Sequence, residues 1–372
     1  MIYLDYSANT PAAPTVLAAF CQTEQAYIGN PNSVHCAGRE AQSELARITS
    51  SIAALLGADP AEIIYTSGAS ESNNLAIKGI AQASRHTGRH IISTALEHTS
   101  VGGSLTALQQ QGYEVDLVDI GRDGTIDLEQ LQDLLRTDTI LVSICAVDSE
   151  LGTVQPIGQV AQILKDFPNC RLHVDATQAV GKTELVLDGV DTMSIAPHKF
   201  YGLNGSGLLL KKKGLVIEPQ IHGGTSTTLY RSGTPALALA ASIEQALQLA
   251  LTHQEERVRY VRSLNDHLRR ALLRYPQVRI NSPEGAVPHI LNLSVQGVKG
   301  TAFQQALSER GVCVSVKSAC STEGTPSKAV FAVSRDRKNA LSSWRISLSH
   351  LTTQGEIEEF LLIFDQCYQN LV

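Results

Sequence analysis

Between residue 60 and about residue 210, seven short β-rich runs, EIIYTS, HIISTAL, YEVDLVDI, TILVSICAV, RLHVDA, TMSIAP and GLLLKK, alternate with segments of helical pattern. This alternation is the strongest constraint on the fold. Apolar runs this continuous belong to strands buried on both faces, and parallel strands must be joined by long crossovers, usually helices. The intervening stretches Glu71–Ser84, Leu105–Gln111, Asp127–Arg136 and Gly158–Phe167 each carry an apolar stripe at helical spacing. The expected class is α/β, with a mostly parallel sheet between helices.

After Pro235 the pattern changes to ALALAASIEQALQLALTHQEERVRYVRSLNDHLRRALLRY, which contains neither Gly nor Pro. It predicts one helix of about forty residues bridging two domains. HILNLSV, TAFQQALSERG, VCVSVKS, SWRISLS and an amphipathic segment from Thr353 to Leu371 then suggest a smaller α/β domain. The expected division is a large domain over 13–240 and a small one built from 1–12 and 241–372.

At 372 residues and 43% hydrophobic content the chain can bury a substantial core. The formal charge of −6, with Lys and Arg scattered, leaves no basic footprint for nucleic acid. The one run, Lys211 to Lys213, reads as a solvated turn. Seven cysteines at 21, 36, 145, 170, 313, 320 and 367 form no CxxC or Cys/His metal pattern, which points to reduced thiols and no bound metal. No basic leader precedes an apolar stretch and no apolar run approaches the length of a membrane span, so the expected location is the cytoplasm, with no membrane partner.

Four stretches carry chemistry. RLHVDATQAVGK ends an apolar run on Asp175, with Gln178 three residues later, and a carboxylate at the carboxyl end of a parallel strand points into the ligand-binding edge of an α/β sheet. SIAPHKFYGLNGSG sets His198 beside Lys199 after a short strand. A lysine held there can lose its proton and serve as a nucleophile or Schiff-base former, and a carboxylate that keeps a pyridine nitrogen protonated is its natural complement in pyridoxal phosphate chemistry. YTSGASESNN reads as strand, glycine turn and helix start, where free amides and the Ser70 hydroxyl suit a phosphate or merely cap a helix. ALEHTSV places His98 at another strand end. Finally, SVKSACSTEGTPSKAV sets Cys320 in a Ser/Thr/Gly/Pro stretch suited to a reachable thiolate, whereas Cys313, inside the alternation GVCVSV, is expected to be buried.

Taken in order, YLDYSANTP, GNPNSVHCAG, YTSGASESNNLAIKG, LEH, HVDATQAVGK, HK, HGG, RSGTP, SAC and WRISLSHLTT run through nearly the whole chain. Together they resemble the cysteine desulfurases of the NifS/IscS kind, class V aminotransferases among the fold-type I pyridoxal phosphate enzymes. The resemblance implies that architecture and the following roles. Lys199 is the Schiff-base lysine, Asp175 the pyridinium partner, His98 the ring-stacking and assisting imidazole, and Gln178 a donor to the phenolic oxygen. Ser70 and His198 hold the phosphate, joined by Thr234 from the other subunit of a homodimer. Arg345 pairs with the carboxylate of L-cysteine, and Cys320 takes its sulfur as a persulfide for an acceptor that the sequence does not name.

The chain departs from the family pattern in three places. Asp148 stands where an asparagine lies near the phenolic oxygen, and an ionised carboxylate there would repel a phenolate. Ala196, followed by Pro197, replaces a phosphate-binding serine. The cysteine loop is about one residue shorter than the common long form, and the chain stops soon after its final helix. A selenocysteine lyase or a cysteine/cystine lyase would use the same cofactor machinery without a persulfide on Cys320. A non-catalytic dimeric binding protein is the reading that Asp148 and Ala196 motivate.

Overall fold

The computed structural model describes residues 1–224, 228–316 and 325–372. A two-residue strand, β1 (Ile2–Tyr3), precedes helices α1 (Pro14–Ala26) and α2 (Cys36–Leu56). All seven apolar runs then become strands: β2 (Ile63–Thr66), β3 (His90–Thr94), β4 (Glu114–Val118), β5 (Thr139–Cys145), β6 (Arg171–Asp175), β7 (Thr192–Ile195) and β8 (Gly207–Lys211). Between them lie α3 (Ala69–Ala83), α4 (Thr99–Gln109), α5 (Leu128–Leu134) and α6 (Ile157–Leu164). The strands form one sheet in the order β2-β8-β7-β6-β5-β3-β4. β3 to β7 pair in parallel, and only β8 runs against its neighbours.

Every residue of β3, β5, β7 and β8 is buried, as their unbroken apolar runs require. Edge strand β4 exposes Glu114 and Asp116, which discourages pairing with another chain. The α2 stripe of Ala41, Leu45, Ile48, Ile52 and Leu56 packs on the sheet, and Gly57 ends that helix in the left-handed region at φ 66°.

The expected forty-residue helix is two helices. α7 (Leu237–Thr252) stops where His253 leaves helical geometry at φ −104°, ψ 11°, and α8 (Gln254–Leu272) starts at once. Packing causes the break. α7 buries Leu237, Ile243, Leu247 and Ala250 in the core of the large sheet, whereas α8 buries Val261, Leu264, Leu268 and Leu272 in a second core. One straight helix would hold both stripes to a single axis.

The second core belongs to β9 (Val278–Ile280), β10 (Ile290–Val295), α9 (Gly300–Ser308), β11 (Val312–Cys313), β12 (Ser343–Ser347) and α12 (Gln354–Leu371), whereas α10 (Lys328–Ser334) and α11 (Arg337–Ser342), in the same stretch of chain, bury Ala329, Val330, Ala332 and Ala340 in the large core. Three of these strands make an antiparallel sheet, β12-β10-β9, while β11 pairs in parallel with β1. Phe303 stacks on Trp344 at 5.3 Å between centroids, with Phe360 and Phe364 beside them. Residues 5–10 pass from this core to the large one: Asp5 bridges Ser347, and the Thr10 amide donates to the His198 carbonyl at 2.9 Å.

Two local expectations fail. Lys211 is buried as the last residue of β8, its ammonium donating to the Leu215 carbonyl at 2.8 Å over the Tyr230 ring. Cys313 is half-buried in β11, a two-residue strand that among the described residues pairs with β1 alone.

Candidate active site

The carboxyl ends of β3, β5, β6 and β7 converge on a cavity of about 380 Å³, roofed by Arg345 from the small sheet. Seven of the residues singled out in the sequence line it: Ser70, His98, Asp175, Gln178, His198, Lys199 and Arg345. The motifs are far apart along the chain, and the parallel topology gathers them.

Asp175 closes β6, and both carboxylate oxygens are held. Oδ1 accepts from the Thr177 amide at 2.9 Å and Oδ2 from Asn73 Nδ2 at 2.8 Å. Asn73, buried on α3, also donates to Ser100 Oγ at 2.9 Å, which sits 2.8 Å from His98 Nδ1. Its Oδ1 lies 3.0 Å from His173 Nε2, so that ring nitrogen donates. Burial lowers the proton affinity of His173 and His98, outweighing the opposing pull of Asp175 on each. Both rings are neutral at pH 7. Next to His98, burial pushes the Glu97 carboxyl up to about 8, and its Oε2 has no hydrogen-bond partner.

At the other end of the cavity, α3 begins at Gly68 without a side-chain cap. Its first-turn amides and the Ser70 hydroxyl are therefore directed at the cavity, where the helix dipole favours an anion. Gly68 sits at φ 152°, ψ 175°, a conformation essentially confined to glycine. Gly207 packs so closely that a Cβ there would lie 2.5 Å from the Gly68 Cα. His198 completes this end; burial, then Lys199 and Lys182, hold it down at about 4, so it acts as a neutral ring.

Lys199 lies on the turn after β7 and donates to the carbonyls of Ser7 at 2.8 Å and Ala8 at 2.6 Å. Gln178 Nε2 donates to the same Ser7 carbonyl at 2.9 Å. Arg345, 2% exposed, donates through Nη1 to the Ser149 carbonyl at 2.6 Å and through Nη2 to Asp5 Oδ1 at 3.0 Å. The second oxygen of Asp5 accepts from Ser315 Oγ at 2.7 Å.

Three singled-out residues stand apart. Asp148 is buried beside the cavity but does not line it; Oδ2 accepts from the amides of Glu150 and Leu151, and burial, then Glu150, raises the carboxyl to about 7. Thr234 is exposed and away from the cavity of its own chain. Cys320 lies outside the described residues. Sequence reasoning missed Asn73, Asp5 and the Ser7 and Ala8 carbonyls. Asn73 and Asp5 stood within quoted motifs, and a polar residue among apolar helix positions was the one signal available for Asn73.

Residues 2–360 match the family model for class V aminotransferases. The chain belongs to the class V aminotransferase family. It is 37% identical to a NifS/IcsS protein homolog of Lactobacillus delbrueckii subsp. bulgaricus, over 100% of this chain and 98% of that one. It is 39% identical to the cysteine desulfurase IscS of Klebsiella pneumoniae, over 96% and 90%. A solved NifS-like protein superposes with a TM-score of 0.93 at 32% identity, covering 100% of both chains, and an SspA solved in complex with cysteine does so at 0.82 and 29%, covering 95% of this chain and 100% of that one.

Pyridoxal 5′-phosphate is the cofactor of this family, and the donor set fits it. An uncapped helix start with a serine hydroxyl suits a phosphate, a doubly held carboxylate suits a protonated ring nitrogen, and a lysine lines the same cavity. Among the described residues no helix is long and apolar enough to cross a membrane.

Proposed function

We propose that this chain is a pyridoxal phosphate-dependent cysteine desulfurase that converts L-cysteine to L-alanine and passes the sulfur, as a persulfide on Cys320, to an acceptor. The observation that carries the reading is that Lys199, Asp175 and Arg345, from three distant motifs, meet in one cavity. The cofactor would be held by Lys199, by Asp175 at its ring nitrogen, by His98 and Gln178 beside the ring, and by Ser70, His198 and the α3 amides at its phosphate. When bound it supplies an electron sink for charge developing on the substrate.

The chain's own residues do the rest. Arg345 binds the substrate carboxylate through a rigid, fixed-charge fork. Lys199, held between two carbonyls when unsubstituted, moves protons at the substrate carbon, with neutral His98 as a second proton carrier. Asn73 and the Thr177 amide hold both Asp175 oxygens and keep the carboxylate aimed. In the transfer the substrate Cβ–S bond breaks and an S–S bond forms at the Cys320 thiolate. Alanine leaves after its Cβ gains a proton.

A homodimer is part of this reading. Thr234 is exposed, and the apolar side chains of Ile28, Val34 and Leu229 stand 94%, 86% and 71% exposed, which favours a covering surface. A large unit and a small one also belong to it, supported by the separate core around Trp344; the boundary expected at 240 falls inside α7, which packs in the large core as far as Ala250.

The test is incubation with L-cysteine, followed by intact-mass analysis and alanine detection. Wild type gains one reductant-labile sulfur on the peptide containing Cys320 and forms alanine. Cys320→Ala keeps the bound cofactor and forms none. Sulfur on Cys313, or undiminished alanine from Cys320→Ala, refutes the nucleophile. Light scattering that finds a fully active monomer refutes the dimer.

A further inference from the structure

Behind Lys199 lies a second cavity of about 20 Å³, into which a second lysine points. The stretch that follows β6 turns twice: the Ala179 amide donates to the Ala176 carbonyl and the Lys182 amide to the Ala179 carbonyl. Those turns bring Lys182 back over Gln178, and its Nζ donates to Gln178 Oε1 at 2.6 Å. Gly181, at φ 72°, allows the reversal against Ala250 of α7.

A carboxamide has one accepting and one donating end of nearly equal shape, so its orientation is set by its neighbours. A lysine ammonium has three donors and no acceptor. It must therefore meet the amide oxygen, which leaves the amide nitrogen facing the opposite way. That nitrogen is the atom that donates to the Ser7 carbonyl, the acceptor shared with Lys199.

We infer that Lys182 is a positioning residue that locks the Gln178 amide with its nitrogen toward Ser7 and Lys199, so that the cofactor meets an N–H donor on this side of the site. The inference rests on the cofactor reading above and deepens it. Several charged or titratable groups face Lys182. They are Lys199 and His198 on the turn after β7, Arg345 on β12, Arg257 on α8, and His289, His350, Tyr6 and Tyr201 around the small cavity. Burial, then Lys199 and Arg345, lowers the Lys182 amine to about 7, so the purely donating ammonium, and with it the lock on the amide, holds below that pH and the titrations are compared there. No carboxylate lines that cavity among the described residues, so Gln178 is the acceptor on which the amine settles.

The test is a pH titration of the visible band of the bound cofactor in four holoproteins: wild type, Lys182→Met, Gln178→Ala and the double variant. Losing a nearby cation and losing a facing N–H donor both favour protonation at the Lys199 nitrogen. The midpoint of Lys182→Met should therefore rise by about one pH unit, the size of one net hydrogen bond. The share that runs through the amide disappears once Gln178 is gone, so in Gln178→Ala the same substitution should shift the midpoint by less than half as much. Lys182→Arg, which keeps a pure donor, should titrate like wild type, and it carries the test if Lys182→Met does not fold.

Equal shifts in the two backgrounds would reveal plain charge repulsion and overturn the positioning role. An unmoved midpoint in Lys182→Met, or a full shift in Lys182→Arg, would overturn it as well. A wild-type protein that takes up no pyridoxal phosphate overturns the cofactor reading along with this one. A normal wild-type band with any of the adverse shifts overturns this one alone.

Discussion

Replacing Asp5 with Ala removes the carboxylate that Arg345 and Ser315 share. The Arg345 side chain is 2% exposed and that of Asp5 18%, so the pair is shielded from water. After the substitution the guanidinium keeps the Ser149 carbonyl, but its Nε already lacks a partner and Nη2 loses its own. Breaking a buried pair at one end costs about 3–5 kcal/mol, because a charge is left uncompensated, and the partial exposure of Asp5 argues for about 3. Unfolding entropy of about 2.1 cal/mol/K per residue gives this chain about 0.8 kcal/mol/K, so the melting temperature should fall by about 4 °C.

The assay is calorimetry with and without a small carboxylate. If Arg345 is the carboxylate-binding residue, saturating L-alanine should return part of the loss to Asp5→Ala and raise wild type less, since in wild type the anion site is already served by Asp5. A variant as stable as wild type would refute the buried pair. A variant that is destabilised but indifferent to alanine would refute the substrate role of Arg345.

Other outcomes follow from the same geometry. Lys199→Ala should lose the borohydride-reducible link to the cofactor and all alanine formation, whereas Asp175→Ala should retain cofactor but lose about 10²–10³-fold in rate, checked by absorbance and steady-state kinetics. Glu97 holds its proton up to about 8 when folded but only to about 4.5 when unfolded, so the native state binds more protons between those values and stability falls as pH rises through that window. Glu97→Gln should flatten that fall in melts taken from pH 5 to 8. Gly207→Ala would drive a methyl into the Gly68 backbone, costing about 1–3 kcal/mol in stability and weakening cofactor retention, measured by dialysis against buffer.

The large sheet was legible because its strands are apolar runs, or in β4 an alternating one, longer than a turn allows and shorter than a helix needs. Six site residues were legible for a related reason: a parallel sheet gathers its strand ends on one edge, so a polar residue soon after an apolar run announces itself, whereas Arg345, inside β12 of the antiparallel sheet, was reached only through the family resemblance. Other features depended on partners that no local pattern encodes. The break at His253 has neither Gly nor Pro to mark it and comes from two cores pulling the stripes of α7 and α8 in different directions. Lys199 is steadied by the backbone carbonyls of Ser7 and Ala8, and a carbonyl has no letter in a sequence. The family resemblance places Asp148 beside the cofactor, but its side chain turns onto the amides of its own loop.

The passage of residues 5–10 between the two cores bears on how the chain is made. Ser7 hydrogen-bonds to Ser347 across 340 positions of sequence, and β1 waits for β11. At roughly 10 residues per second a ribosome takes about half a minute to cover that distance. During this time the large sheet has all its strands and Thr10 can meet His198, while Ile2 to Ser7 still lack β11 and Ser347. Such distant pairing is slow to form, so Ile2 to Ser7 are among the last residues to settle. The Ser7 and Ala8 carbonyls beside Lys199 thus lack their tie to Ser347 until the small sheet closes, and the nascent chain cannot acquire a finished site before Arg345 has been translated.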